Sequence, residues 1–270
     1  MKKFFPALLI LALVVVGFVS KDRMRSVPND SFSTGEVLKY KVHYGLITAA
    51  DATIETAPAL HYINNRPCYR TTVTGKTNSS FDFFIRVRDT WQSYIDTAAI
   101  VPQRFYRNIE EGNYRKRETV DFNHYRNTAF VETKKRNRPK ETGNYKIPEN
   151  VQDIVSGFYY LRTLNYDRMN VGDKLNLQGF FDDETFNMQV TYKGREVVST
   201  KAGDIRAIKL TPKMPKNKLF NGEDAITVYL SDDKNKIPVL IQAEMFVGSL
   251  KINLYEYKNL KHKTSLLAQK

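Results

Sequence analysis

One cysteine in 270 residues excludes an internal disulfide, so the fold does not depend on an oxidising staple. Cys68 stands in Cys68-Tyr69-Arg70-Thr71-Thr72-Val73, a strand-like run where a buried structural thiol is the expected role. Histidine is scarce too. His43, His61, His124 and His262 lie far apart, no acids join them at ligand spacing, and no local zinc set results. No serine sits in a nucleophile elbow, and no glycine-rich loop opens a helix. The sequence therefore predicts no catalytic residue, no metal and no cofactor: it does not read as an enzyme. Beyond the N-terminus, no apolar run approaches the roughly 20 residues that span a bilayer.

What is present begins at the N-terminus. Lys2 and Lys3 precede an uncharged run from Phe4 to Val19, and Ser20, Lys21 and Asp22 end it. A short basic stretch, an apolar stretch and a polar end make the layout of an export signal. The apolar run is shorter than the roughly 20 residues of a spanning helix, which predicts a cleaved signal over a permanent anchor. The cleavage site is poor: a cut after Ser20 leaves bulky Phe18 where a small residue is wanted, and a cut after Gly17 leaves Val15 there. With no cysteine after the run, a lipid-modified N-terminal cysteine is excluded. The expected location is the periplasm or cell envelope. The expected organisation is a signal at 1–20, a flexible lead at 21–34, one β-rich domain at 35–262 and a tail at 263–270.

Net charge is +13, and removal of Lys2 and Lys3 with the signal leaves +11. Such a balance fits anionic lipid headgroups, acidic polysaccharide or nucleic acid, and export argues against the last. The densest basic stretch runs from Arg104 to Lys140, with 11 Lys or Arg and interspersed acids. A solvated sheet face whose cations protect strand edges is the plain explanation, and an anion-binding patch is the functional one. Aromatics are plentiful, with 16 Tyr, 16 Phe and one Trp, enough for a substantial core.

Period-two alternation dominates. In Val37 to Tyr44, Leu38, Tyr40, Val42 and Tyr44 share one face, against Lys39, Lys41 and His43, as in a half-buried antiparallel strand. Similar stretches cover about 50–56, 68–76, 83–96, 103–109, 114–123 and 128–135, and later 174–181, 186–193, 196–201, 204–211, 225–231, 237–247 and 249–258. Lys193-Gly194, Ala202-Gly203-Asp204, Asn221-Gly222 and Asp232 to Asn235 read as hairpin turns. The period changes once: Val151, Ile154, Val155, Phe158 and Leu161 fall at helical spacing, predicting a helix over 149–164 with Pro148 at its start. The fold class is mainly β: a large antiparallel curved sheet, half-barrel or two packed sheets, with one central helix against it.

Two readings attach to the remaining clusters. Phe180 to Phe186 contains Asp182, Asp183 and Glu184, which lack the spaced, glycine-containing order of a calcium loop and fit a charged hairpin tip. The aromatics Phe81, Phe83, Phe84 and Trp91, and Phe158, Tyr159 and Tyr160, either fill a core or line an apolar cavity between sheet and helix.

Four places carry a resemblance: Phe32-Ser33-Thr34-Gly35-Glu36-Val37-Leu38-Lys39-Tyr40, Gln152 to Arg162, Val197 to Gly203, and Leu230-Ser231-Asp232-Asp233 with Ile237-Pro238. Together they resemble a family of exported bacterial envelope proteins, domain of unknown function 3108. Their order carries the likeness. The resemblance implies export and carries over no functional residue. The expected function is that of a non-enzymatic envelope binding protein for a lipid, an acyl chain or a polysaccharide. Its apolar part would lie between sheet and helix, near Trp91, Phe158 and Tyr159, with Arg86 and Arg88 meeting an anionic end. The alternative is an assembly factor that binds a protein partner through strand edges or its basic face. Neither reading involves nucleic acid, or membrane insertion beyond the signal.

Overall fold

A computed structural model of the chain describes residues 24–213 and 222–264; the expected signal, Asn221 and the last six residues lie outside them. The strands are β1 (Val37–Tyr44), β2 (Ile47–Thr56), β3 (His61–Ile63), β4 (Arg66–Thr77), β5 (Arg88–Asp96), β6 (Pro102–Glu111), β7 (Tyr114–Asn123), β8 (Thr128–Lys135), β9 (Lys140–Lys146), β10 (Lys174–Phe181), β11 (Glu184–Thr200), β12 (Gly203–Pro212), β13 (Ile226–Ser231), β14 (Pro238–Glu244) and β15 (Ser249–Lys258). Helix α1 (Ser79–Asp82) follows β4, and α2 (Ile154–Thr163) separates β9 from β10.

All strands join one antiparallel sheet in the order β10-β11-β12-β13-β14-β15-β1-β2-β4-β5-β6-β7-β8-β9, with β3 paired to β4 off this path. The sheet curls without closing. Its two edges meet through side chains, Tyr145 of β9 packing on Phe180 of β10 with ring centroids 5.7 Å apart. The chain also crosses the seam. The amide of Gln152 donates to Gln178 O at 2.8 Å, and that of Phe180 to Gln152 O at 2.9 Å. Unpaired edges invite aggregation, and here the β10 edge is partly occupied.

Alternation places one face of each strand inside. In β7, Lys116, Glu118, Val120 and Phe122 are buried, and in β8, Ala129, Val131 and Thr133. Helix α2 lies against that inner surface. Its Val155 and Tyr159 join Ile95, Phe105, Val120, Phe122 and Phe180 in one core cluster, while Leu161 joins Tyr166, Leu177, Val190, Leu210 and Leu230 in another. A third gathers Leu38, Tyr40, Ile205, Tyr229 and Leu254. Each such side chain contributes about 1.5–3 kcal/mol on full burial. Side chains therefore occupy the space between sheet and helix.

Several expected boundaries differ. The helix starts at Ile154, not at 149, because Asp153 caps it: its carboxylate accepts from the amides of Val155 at 2.8 Å and Ser156 at 2.7 Å. The strand expected over 83–96 begins at Arg88, because Asn78 caps α1 and turns the chain first. The expected hairpin at Lys193-Gly194 is a bulge inside the single strand β11, where Gly194 takes φ 101°. The lead, expected to be flexible, lies on the fold from Met24 onward. Phe32 is fully buried, Arg25 stacks on Tyr160 at 4.1 Å, and the Val27 amide donates to Ala98 O at 2.8 Å.

Strand direction gives the molecule two poles. The turns β1–β2, β6–β7, β8–β9, β10–β11 and β14–β15, and the α1 segment between β4 and β5, leave one pole, called distal here. The chain enters at the other, beside the β5–β6 turn.

Candidate functional site

The five residues singled out in the sequence do not form one group: Trp91 and Tyr159 meet the same core cluster, Phe158 another, and Arg86 and Arg88 lie toward the distal pole. Tyr159 is buried inside the core, its hydroxyl 3.1 Å from Thr56 Oγ1 and donating to Glu36 Oε1 at 3.5 Å; burial pushes that phenol up to about 12, with Glu36 adding to the effect. Phe158 packs against a different core cluster. Trp91 stacks on Phe181 with ring centroids 5.7 Å apart. Arg88 is tied to Asp82 at 2.5 Å, and Arg86 is exposed on the distal pole. An acyl chain between sheet and helix would lie where the side chains of these two core clusters pack.

Asp182 shows why the acidic hairpin is not a metal loop. Asp182 and Asp183 both take positive φ, 50° and 66°, as the two central residues of a tight hairpin turn require. Asp182 then pairs with Lys116 at 2.9 Å and with Arg107. Arg107 Nε also lies 2.8 Å from Glu118 Oε1 without hydrogen-bond alignment, and Lys116 reaches Glu118 at 2.6 Å. The Arg107 guanidinium sits 4.4 Å from the Phe181 ring. Partial burial pushes the Asp182 carboxyl up, but Arg107 and Lys116 outweigh it and hold it below its ordinary value. The charges of the cluster offset one another, and the cluster clamps the β10–β11 tip onto the sheet. Among the described residues, no group of three or more His, Cys, Asp and Glu could hold a metal ion.

A second basic group stays open to solvent. The tips of β6–β7 and β8–β9 form a wide-mouthed recess of ≈ 440 Å³ on the distal pole, lined by Asn113, Tyr114, Arg115, Lys135, Arg136, Asn137 and Arg138. Backbone pairing builds it. The amide of Arg136 donates to Arg115 O at 3.0 Å, and Asn137 takes φ 56° to close its turn. Arg115 donates from Nη1 to Gly112 O and Tyr114 O, both at 2.7 Å, and lies 3.8 Å from Glu110. Among the described residues, no carboxylate pairs with Lys135, Arg136 or Arg138. Four cations with two amides and a phenol can bind phosphate, sulfate or carboxylate groups from solvent. A further recess of ≈ 450 Å³, lined by Tyr257 to Leu260 and His262 to Thr264, lies at the other pole. The Arg104–Lys140 charge density announced the distal group, but only strand pairing brings the two tips side by side.

With that geometry in hand, the family profile for DUF3108, a protein of unknown function, matches residues 39–255. The chain belongs to the DUF3108 family. No curated protein matches. Among solved structures, this DUF3108 chain is similar to a β-barrel-like protein of domain of unknown function DUF1849 from Brucella abortus. The TM-score is 0.54 at 10% identity, covering 87% of this chain and 98% of that one. A protein with a YmcC-like fold from Bacteroides fragilis covers 87% of this chain and all of its own, at TM-score 0.34 and 9% identity, too remote to carry an argument. The first likeness supports the curled, barrel-like sheet and nothing about activity.

Proposed function

We propose that the chain is an exported, non-enzymatic envelope protein that binds an anionic envelope component on its outer surface, at the distal basic recess. The observation that carries this reading is the grouping of Arg115, Lys135, Arg136 and Arg138 around one open recess with no acid in its lining. The N-terminal Lys2-Lys3 and Phe4 to Val19 layout supports the compartment. The interior, filled by aromatic and aliphatic side chains, supports surface recognition over uptake of a ligand. Pairing of a protein partner along a strand edge has less support, because Gln152 already occupies part of the β10 edge and Tyr145 of β9 packs on Phe180.

Titration of the full chain with dextran sulfate as a polyanion tests the site. Arg115→Gln/Arg136→Gln/Arg138→Gln weakens binding by about tenfold, equivalent to roughly 1.4 kcal/mol. Lys174→Gln/Lys193→Gln/Lys201→Gln removes the same charge from exposed positions elsewhere on the sheet and leaves binding within about twofold. Equal losses in the two triple variants would show a diffuse attraction and sink the site.

A further inference from the structure

The distal pole is apolar as well as basic. Leu46 is fully exposed at the β1–β2 turn beside Ile47, Phe83 is 88% exposed beside Phe84 in the α1 segment, and Phe246 is 62% exposed beside Val247 in the β14–β15 turn. With Ile85 and Tyr114 these are eight of the fifteen large apolar side chains that the described surface exposes. Scattered singly, exposed apolar residues need no explanation; concentrated on one pole, they mark a contact surface.

Hydrogen bonds join the tips into one rim. Tyr44 Oη donates to Val247 O at 2.8 Å, and the Gly45 amide to Ser249 O at 2.9 Å, linking β14–β15 to β1–β2. The Asn78 amide donates to Ala49 O at 3.0 Å, linking the α1 segment to β2. The Gly112 amide donates to Arg86 O at 2.8 Å, linking that segment to β6–β7, which in turn meets β8–β9 through Arg136 and Arg115. At about 4.8 Å per strand, the rim runs roughly 40 Å along the curled sheet.

Charge on five of the distal tips is predominantly positive. The segments 45–47, 78–87, 112–115, 135–140 and 245–248 hold Arg86, Arg115, Lys135, Arg136, Arg138 and Lys140 against a single acid, Asp82, which Arg88 neutralises; Lys140 pairs with Glu132, and the β10–β11 tip on the same pole adds Asp183 and Glu184 with Asp182, which Arg107 and Lys116 hold. Apolar side chains at turn apices with cations beside them match the layered chemistry of a membrane interface. Hydrocarbon lies below and phosphate above, and the two attractions add. A fluid interface can admit separate tips along a curved rim, whereas a globular partner would need a matching arc of pockets. The chain enters at the opposite pole, where Val27 pairs with Ala98, so the rim is not covered by the described lead.

We infer that the distal rim seats the protein on a bilayer containing anionic headgroups, with Leu46, Phe83, Phe84, Phe246 and Val247 entering the headgroup boundary and Arg86, Arg115, Arg136 and Arg138 lying on the phosphates. The inference rests on the anion-binding reading of the recess, which forms one sector of this rim.

Environment-sensitive fluorophores test it in the full chain. They are attached at Phe83→Cys, at Phe246→Cys, and at Tyr125→Cys on the opposite pole as control. Cys68 is fully buried and burial pushes its thiol up to about 12, so it escapes labelling in the folded protein. The vesicles are phosphatidylcholine with phosphatidylglycerol, and phosphatidylcholine alone. The expected result is a blue shift at positions 83 and 246 with the anionic vesicles and none at position 125. Leu46→Ser/Phe83→Ser/Phe84→Ser/Phe246→Ser lowers partition onto those vesicles by more than about thirtyfold. Its thermal unfolding stays unchanged, because the altered side chains are solvent-facing. An equal shift at position 125 overturns the inference by removing the rim as the contact. No rim shift while dextran sulfate still binds at the recess overturns the membrane inference alone. No rim shift together with no polyanion binding overturns both readings.

Discussion

Arg162 is the residue on which the packing of α2 turns. It is 1% exposed and pairs with both oxygens of Glu36, Nη1 to Oε1 at 2.6 Å and Nη2 to Oε2 at 2.7 Å. Its Nε donates to Asn235 O at 3.0 Å, and Ser31 Oγ donates to Arg162 O at 2.6 Å. One residue thus ties the helix to Glu36 just before β1, to the β13–β14 turn and to the lead. Burial pushes the guanidinium down, but Glu36 outweighs that and holds it above its ordinary value. A buried pair adds little over an apolar replacement, yet breaking it strands a charge. Arg162→Met therefore costs about 3–5 kcal/mol, and Arg162→Met/Glu36→Leu recovers most of it, as read from urea midpoints. A single variant as stable as the parent would contradict this role. Nothing local in the sequence marks the pair, since its partners stand 126 residues apart.

Among the elements, α2 shows both what the sequence reveals and what it hides. Val155, Phe158 and Leu161 show the helical period, but Val151 falls in the same period while its neighbour Gln152 bridges Gly179 of β10. Periodicity alone thus extends the helix too far. Strands β1, β7, β8, β10 and β15 have the bounds that their alternation predicts. Strand β9, Lys-Glu-Thr-Gly-Asn-Tyr-Lys, has no apolar alternate face and left no signal, being an exposed edge. The basic recess was legible as charge density but not as a place, because adjacency of two turns is a property of the sheet.

The cap of α2 also titrates. Asp153 is buried, and burial pushes its carboxyl up to about 6, against hydrogen bonds from Ser93 and the Ser156 and Val155 amides that favour the charged form. The folded value lies above the unfolded value of about 3.9. The folded state therefore binds this proton more tightly. The contribution of Asp153 to stability is fully present below about pH 4 and is lost as pH rises through about 6. Carboxyl carbon NMR is expected to show a midpoint near 6 for Asp153, and Asp153→Asn removes that part of the pH dependence of unfolding. A midpoint near 4 would contradict the account.

For the whole molecule, the curled sheet is a wall with a packed interior, and its chemistry is displayed at one end. Helix α2 and the inner strand faces fill the bore, the Arg107–Lys116–Glu118–Asp182 cluster clamps the β10–β11 tip, and the distal turns carry the open cations and exposed apolar side chains. Among the described residues no helix is long and apolar enough to cross a membrane, so contact with a bilayer would be made at the surface by these turns. Hydrogen–deuterium exchange of the full chain, with and without vesicles of phosphatidylcholine and phosphatidylglycerol, tests this division directly. The account predicts slowed exchange in segments 45–47, 78–87, 112–115, 135–140 and 245–248, with α2 unchanged. Slowed exchange in Ile154–Thr163 and the strands facing it, with the turns unaffected, would mean that the interior takes up the ligand and would contradict it.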